Sequence, residues 1–275
     1  MRLQGQKLTL TYEQVVVATD LTIEIPDREV TVLIGPNGSG KSTALRALAR
    51  LLKPKAGEVV LDGKSIQSMS PKHVAQKLAI LPQLLVAPES ITVEELVGYG
   101  RHPQRQSMLS LSDEDEAAIE WAIEVTGMGP LRYRAVDELS GGQRQRAWIA
   151  LVLAQGTDLI LLDEPTTFLD IAYQLDVLEL LRELNEREGK TIVMVLHDIN
   201  LAAEYAHTLL ALRAGEIVAG GPPSEVLSTK LIRDVFGIES HVMNHPVTGQ
   251  PMCLPIPGTP RGSTDSPAAP EPAPA

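Results

Sequence analysis

Short apolar runs separated by polar turns fill the first eighty residues of the chain. This spacing is typical of β-strands, because successive side chains of a strand point to opposite faces of a sheet. We expect strands over residues 7–12, 15–18, 21–25, 57–63 and 79–82.

Three other runs, at residues 30–34, 159–162 and 192–196, are apolar along almost their whole length. Uninterrupted runs of this kind suit strands of a parallel sheet that helices cover on both faces. Residues 173–188 have the period of a helix, which ends at Gly189. Strands that alternate with helices predict a domain of the α/β class.

The section from about residue 84 to residue 155 has a helical character. Ser112 precedes four acidic residues at 113–116, an order typical of a helix N-cap followed by acids in the first turn. These acids could instead form a site for a metal ion or a basic partner. We expect one domain over residues 1–254 and a disordered tail over 255–275, which holds seven of the 20 prolines.

Composition narrows the class of protein. The formal net charge of −11 argues against a nucleic-acid partner, because phosphate backbones attract basic surfaces. We expect no secretory signal, and the longest apolar runs are far shorter than the ~20 residues of a membrane-spanning helix. The single cysteine, Cys253, excludes an internal disulfide and leaves zinc or an iron–sulfur cluster without its usual ligands. These features predict a soluble cytoplasmic protein.

A glycine-rich segment follows the apolar run at 30–34. Residues 35–42, called the phosphate loop below, fit the pattern G-x-x-x-x-G-K-[ST] of loops that wrap nucleotide phosphates. Glycines allow a tight turn that points backbone N–H groups at phosphate oxygens. We expect Lys41 to reach the β- and γ-phosphates and Ser42 to bind Mg²⁺. The alternative is a glycine-rich turn that matches the pattern by chance. Because a predicted strand precedes this segment and a predicted helix follows it, we expect the chain to bind ATP or GTP.

Polar side chains follow three of the predicted strands. Asp163 and Glu164 come after 159–162, at the sheet edge where α/β proteins bind ligands. Asp163 is expected to hold Mg²⁺, and Glu164 to be the general base for the water that attacks the γ-phosphorus. His197 ends another strand and could donate a hydrogen bond to a γ-phosphate oxygen. Gln83 ends a third strand and could contact Mg²⁺ or this water. Each alone would be an ordinary strand-end residue.

Residues 139–143, Leu-Ser-Gly-Gly-Gln, form what we call the signature sequence. Ser140 can cap the helix that follows, whose start would favour an anion. With this sequence the chain resembles the ATP-binding subunit of ABC transporters over nearly everything before the tail. The resemblance implies an α/β P-loop NTPase fold with a RecA-like core sheet, an N-terminal antiparallel β subdomain and an α-helical signature subdomain at about 84–155. The other family motifs follow in the family's order: the phosphate loop, Gln83, residues 159–164, Asp170 and His197.

The roles of several residues are implied by this resemblance alone. Tyr12 resembles the aromatic residue that stacks on adenine, although a half-buried strand position would also explain it. Ser140 and Gly142 resemble residues that clasp the γ-phosphate of ATP held by a second subunit, and Asp170 resembles the loop that links the two sites. The residues implied to bind ATP are Tyr12, Gly35, Pro36, Asn37, Gly38, Ser39, Gly40, Lys41, Ser42 and Thr43. The signature residues are Ser140, Gly141, Gly142 and Gln143, and the Mg²⁺ ligands are Ser42, Gln83 and Asp163.

The same resemblance implies partners. The chain has one phosphate loop and one signature sequence, and the family builds each site from two subunits, so a homodimer that sandwiches ATP is expected, or a heterodimer with a similar chain. A separate multi-spanning permease would form the channel and dock between Gln83 and Leu139, and a substrate-binding protein would act indirectly. The chain would then lie peripherally at the cytoplasmic face of the cell membrane.

Several stretches resemble a narrower branch, the ATPases of iron–siderophore, haem and vitamin B12 uptake. They lie at residues 49–54, 98–103, 163–170 and 197–202. Within this branch the likeness is strongest to ferric-siderophore import, with haem or vitamin B12 import as the alternative. Two other hypotheses stay open: a soluble ABC ATPase without a channel, and a non-catalytic nucleotide switch, which would have no need of a base such as Glu164.

Overall fold

The computed structural model describes residues 2–12, 15–105 and 110–257. The strands are β1 (Leu3–Tyr12), β2 (Val15–Ile25), β3 (Val30–Ile34), β4 (Ala56–Leu61), β5 (Lys64–Ser65), β6 (Leu78–Leu81), β7 (Leu159–Asp163), β8 (Thr191–Val195), β9 (Thr208–Arg213), β10 (Glu216–Gly221), β11 (Ser240–Asn244) and β12 (Pro251–Pro255). The helices are α1 (Lys41–Leu48), α2 (Pro71–Ala75), α3 (Val93–Tyr99), α4 (Asp113–Val125), α5 (Gly141–Ala154), α6 (Ile171–Glu188), α7 (Ile199–Tyr205), α8 (Pro223–Val226) and α9 (Thr229–Phe236).

A six-stranded sheet forms the centre of the fold, in the order β10-β9-β3-β8-β7-β6. All neighbours in it are parallel except β10, which pairs antiparallel with β9. The predicted parallel sheet is therefore confirmed, with the three apolar runs as neighbouring central strands. Because these strands run in the same direction, the residues that follow them meet at one edge.

The side chains of the central strands enter two separate cores. Val32, Leu162 and Met194 are buried on one face, against helices α3 to α6. Their neighbours Leu33 and Val193 are buried on the other face, with α1 and the N-terminal strands. All residues of β3, β7 and β8 are buried, which explains why these sequence runs are apolar along almost their whole length.

An antiparallel sheet, in the order β2-β1-β4-β5, covers the second face. The predicted strands at 15–18 and 21–25 are one strand, β2, so the predicted break is wrong. Asp20 does have a left-handed backbone, with a φ of 57°, and the pairing of β1 with β2 shifts register in this region. The ladder nevertheless continues through the irregularity.

Helices α3, α4 and α5 occupy the section that was predicted to be helical. Ser112 caps α4 as predicted, since its hydroxyl accepts a hydrogen bond from the backbone N–H of Asp115. Arg101 Nε donates to Asp115 Oδ1 at 2.7 Å, and Arg101 Nη1 donates to the Ala154 carbonyl at the end of α5. Both charged side chains are more than nine-tenths buried. This ion pair therefore ties α4 to the C-terminal end of α5.

The C-terminal part of the described chain contains α7 to α9 and the hairpin β11–β12. The side-chain amide of Asn200 donates to the Cys253 carbonyl and accepts from the Cys253 N–H. Pro255 is the last residue of β12, so the disordered tail expected from residue 255 does not begin there; residues 258–275 lie outside the described part of the chain. Within the described part of the chain, every helix is too short or too polar to span a membrane.

Asp115→Ala is expected to lower the free energy of unfolding by about 3 kcal/mol, because it leaves the Arg101 guanidinium buried without its partner. Glu114→Ala is the matched control. Glu114 also approaches Arg101, at 3.9 Å, but its side chain is 90% exposed, so its loss should change stability by less than about 0.5 kcal/mol. Denaturant unfolding of both variants measures the difference, and equal losses would contradict the role of the buried pair.

Candidate functional site

Glycines shape the phosphate loop between β3 and α1. Gly35 has a φ of 149°, and a Cβ at this position would lie 2.2 Å from the Leu212 carbonyl oxygen, so only glycine fits. Gly40 is left-handed, with a φ of 100°, and caps α1 without a side-chain hydrogen bond. The first-turn N–H groups of α1 are therefore left for an anion.

Lys41 folds back over the loop from the first position of α1. Its Nζ donates to the carbonyl oxygens of Gly35 and Pro36, each at 2.9 Å. Burial lowers the pKa of Lys41, and the neighbouring carboxylates of Glu164 and Asp163 oppose this shift. The ammonium is a poorly solvated cation, which suits it to bind an anionic phosphate.

Asp163 ends β7 and contacts the start of α1. The Ser42 hydroxyl donates to Asp163 Oδ1 at 2.7 Å. Burial raises the pKa of Asp163 and the charge of Glu164 adds to the rise, while the hydrogen bond from Ser42 opposes it. The hydroxyl and carboxylate oxygens are hard ligands of the kind that Mg²⁺ prefers.

Glu164 follows in a left-handed backbone conformation, with a φ of 56°. Its Oε1 lies 2.7 Å from Nε2 of His197, and its Oε2 accepts a hydrogen bond of 3.2 Å from the Thr167 hydroxyl. The residue is only 9% exposed, whereas the side chain of His197 is about half exposed. Both carboxylate oxygens are thus held in place.

An open cleft of about 460 Å³ lies at the ends of β3, β7 and β8. Gln83, two residues beyond β6, is exposed and completes its wall. The volume is within the roughly 300–1,000 Å³ typical of ligand sites. A second, larger cavity of about 1140 Å³ lies among residues 88–132, and its described lining contains no residue of the phosphate loop. The residues that line the smaller cleft are Asn37, Gly38, Gly40, Lys41, Ser42, Thr43, Gln83, Glu164 and His197.

Three predicted groups lie away from this cleft. Tyr12 ends β1 and is 55% exposed. Ser140 caps α5 in a reciprocal pair of hydrogen bonds with Gln143, and Asp170 caps α6 by accepting from the Tyr173 N–H. None of these described residues lines the cleft. A single copy of the chain therefore does not bring its signature sequence to its own phosphate loop.

The chemistry of the cleft fits a nucleoside triphosphate with Mg²⁺. The start of α1 and the Lys41 ammonium present positive groups to phosphate, and the Ser42 hydroxyl presents an oxygen to a cation. Asp163 is buried and does not line the cleft, but its carboxylate contacts Ser42 directly. Gly35, Pro36 and Ser39 do not line the cleft but shape the loop beneath it, where the Ser39 N–H donates to the Pro36 carbonyl. The fold and the site together define a nucleotide-binding α/β protein with a phosphate loop.

The chain belongs to the ABC transporter family. The family profile described as ABC transporter matches residues 18–167. The petrobactin import ATP-binding protein FpuD of Bacillus anthracis is 51% identical over 253 residues, which cover 92% of this chain and 93% of that protein. The ferric enterobactin transport ATP-binding protein FepC of Escherichia coli (strain K12) is 50% identical over 255 residues, covering 93% and 94%. The predicted family is confirmed, and the chain is an ATP-binding ATPase subunit of this family.

A solved structure shows the same fold. A bacterial ABC transporter cassette, determined as a dimer, superposes with a TM-score of 0.73 at 28% sequence identity, over 80% of this chain and 98% of that one. The predicted P-loop fold of the α/β class is therefore confirmed.

Two contacts at the site were not predicted from the sequence. The Thr167 hydroxyl holds Glu164, and the side-chain amide of Gln145 donates to the Pro165 carbonyl. In the sequence, Thr167 and Gln145 are ordinary polar residues with no feature that indicates these contacts. No local pattern pairs a helix residue with a loop twenty positions away, so the second contact depends on how the chain folds.

Asp163→Asn is expected to raise the unfolding temperature of the nucleotide-free protein while reducing ATP hydrolysis. The folded pKa of Asp163 lies above its unfolded value, so the carboxylate begins to cost stability as pH rises past the unfolded pKa. Because an unfolded aspartate has a pKa of about 3.9, this cost is already present at neutral pH. Asparagine keeps an acceptor for Ser42 but carries no charge. Calorimetry from about pH 4, near the ordinary pKa of aspartate, upward through neutral pH should show the gain growing with pH.

Asp198→Asn is the control for this variant. Asp198 is an exposed cap that accepts from the Asn200 and Leu201 N–H groups at the start of α7. Asparagine caps about as well as aspartate, so its stability should change by less than about 0.5 kcal/mol. A lower unfolding temperature for Asp163→Asn at neutral pH would show that the buried charge does not strain the site.

Proposed function

We propose that this chain is the ATP-hydrolysing subunit of an importer that carries iron–siderophore complexes across the cytoplasmic membrane. The observation that carries the cargo assignment is identity of 50–51%, over more than nine-tenths of the chain, to subunits named for petrobactin import and ferric enterobactin transport. The cleft supports the hydrolytic half of the proposal independently, because it combines a phosphate loop with a fixed carboxylate.

Nucleotide binding in this proposal uses the phosphate loop and the end of β1. Lys41 would move from the loop carbonyls to the β- and γ-phosphates, and Tyr12 would stack on adenine from its exposed position. Ser42, Asp163 and Gln83 would hold Mg²⁺, which neutralises developing phosphate charge when bound.

Glu164 is the proposed general base. His197 and Thr167 fix its two oxygens at the cleft wall, where it would take a proton from the water that attacks the γ-phosphorus. Such a base is typically worth about 10²–10⁴ in rate. Once the γ-phosphate is present, His197 would donate to one of its oxygens, and Gln83 would contact the attacking water.

Two copies of the chain would complete each other's sites. The signature sequence lies outside the cleft of its own chain, and exposed Ser140 begins a helix whose dipole favours an anion. Ser140 and Gly142 would contact the γ-phosphate bound by the partner, with Asp170 between the two sites. The dimeric cassette that shares this fold supports the arrangement. Hydrolysis would remove the shared γ-phosphate and let the pair open.

The larger cavity is the proposed docking place for a separate multi-spanning permease. Its lining combines apolar Ile91 and Ile119 with charged groups, and the Arg132 guanidinium pairs there with Glu94 and Glu120. This mixture of apolar and charged groups suits an amphipathic segment. Docking would place the chain peripherally at the cytoplasmic face of the membrane. A substrate-binding protein would then influence the ATPase only through the permease.

Glu164→Gln is expected to form a dimer that depends on ATP and Mg²⁺, because it removes the base but keeps the phosphate contacts. Hydrolysis should fall by at least about 100-fold, and gel filtration should show the dimer. Adding Ser140→Asp is the control, since aspartate still caps the helix but repels the partner's phosphate, and should restore the monomer. A Glu164→Gln protein that stays monomeric with ATP would count against the two-copy site.

Uptake of iron-labelled siderophore tests the cargo. Deleting the gene for this chain should reduce uptake to background, and a copy with Lys41→Ala should fail to restore it, because the phosphate contact is lost. Labelled haem and vitamin B12 in the same strain are the controls. Loss of haem or vitamin B12 uptake with normal siderophore uptake would contradict iron–siderophore complexes as the cargo. Normal uptake of all three compounds would favour a soluble ATPase instead.

A further inference from the structure

The start of helix α5 is tied to the loop at residues 164–170, called the catalytic loop below. Nε2 of Gln145 donates to the Pro165 carbonyl at 3.1 Å, and Gln145 is only 7% exposed. Pro165 directly follows Glu164, so this bond holds the backbone next to the proposed base. The packing beside it is close as well, since a Cβ on Gly142 would lie 3.2 Å from a methyl group of Leu169.

The catalytic loop depends on this outside donor. Glu164 has a left-handed backbone, and the loop closes on itself through hydrogen bonds from the Thr167 N–H to the Glu164 carbonyl and from the Leu169 N–H to the Thr166 carbonyl. The Pro165 carbonyl takes no part in these turns, and Gln145 supplies a donor for it. A buried carbonyl without a donor is unfavourable, so loss of the amide would let this part of the loop move.

We propose that Gln145 is a positioning residue that couples the nucleotide held by a second copy of the chain to Glu164 of its own chain. The inference rests on the proposed function, in which the partner's γ-phosphate contacts Ser140. Ser140 and Gln145 lie within the first turn and a half of one rigid helix. A shift of the helix start is therefore passed through the amide to Pro165, and from there to the carboxylate.

A second glutamine on the same helix provides an internal comparison. Nε2 of Gln155, the C-cap residue of α5, donates to the carbonyl oxygens of Ala75 and Leu78. Like the bond from Gln145, these two bonds join a side-chain amide to a backbone carbonyl. Gln155 lies at the opposite end of α5 from Ser140. Its bonds therefore hold the helix without contacting the catalytic loop.

Gln145→Met tests the inference, because methionine keeps the length of the side chain but has no N–H donor. The kcat for ATP hydrolysis should fall at least about tenfold, since small misplacements of a catalytic group are costly, while KM for ATP stays within about twofold. Combined with Glu164→Gln, it should still allow the ATP-dependent dimer. Gln145→His keeps an N–H at a similar reach and should recover most of the rate. Gln155→Met should retain kcat within about twofold.

Three results would overturn the inference: a parental kcat in Gln145→Met, an equal loss in Gln155→Met, or loss of the dimer when Gln145→Met is combined with Glu164→Gln. The last result would mean that Gln145 shapes the signature sequence itself. If Gln145→Met does not fold, Gln145→Leu replaces it, since leucine also has no hydrogen-bond donor, and it is judged by the same kcat criterion. Failure of Glu164→Gln alone to dimerise counts against the proposed function, whereas a normal dimer with parental turnover in Gln145→Met counts against this inference only.

Discussion

The parallel register of three central strands is the constraint on which the site depends. Val195 of β8 pairs with Leu33 of β3 on one side and with Asp163 of β7 on the other. The phosphate loop, the two carboxylates and His197 therefore leave the sheet at the same edge. The ladder that sets this register is buried between two apolar cores, where water cannot compete for the backbone hydrogen bonds. A slip by one residue would exchange the two faces of a strand and separate these groups.

Burial of two charged groups dominates the electrostatics of the cleft. Burial lowers the pKa of Lys41 and raises that of Asp163, so both groups are moved toward their neutral forms. A phosphate beside Lys41 and a divalent cation beside Asp163 would each favour the charged form again. Binding of the nucleotide with its metal would thus relieve an unfavourable arrangement in the folded protein, and a ligand that binds only the folded state also stabilises it.

Local sequence patterns predict much of this site because its parts are local along the chain. Asp163 and Glu164 directly follow an apolar run, and the phosphate loop lies between a strand and a helix. Each motif can therefore be predicted together with the strand or helix that adjoins it in the sequence. The wrong strand break near Asp20 has a different origin: a turn-like residue is held inside a paired ladder. The bond from Gln145 to Pro165 is beyond such patterns altogether, since it depends on how closely α5 packs against the catalytic loop.

Helix α5 connects the helical layer to the loop that carries Glu164. At its C-terminal end, the Arg101 guanidinium bonds both the Ala154 carbonyl and the buried carboxylate of Asp115, so α5 moves with α4. At its N-terminal end, Gln145 holds the catalytic loop. The larger cavity is lined by residues of α3 and α4, so a partner docked there would push on the same rigid group. Because packed helices shift as units rather than deform, that force would reach Ser140 and Glu164 together, which would let one docking event align the signature sequence and the base.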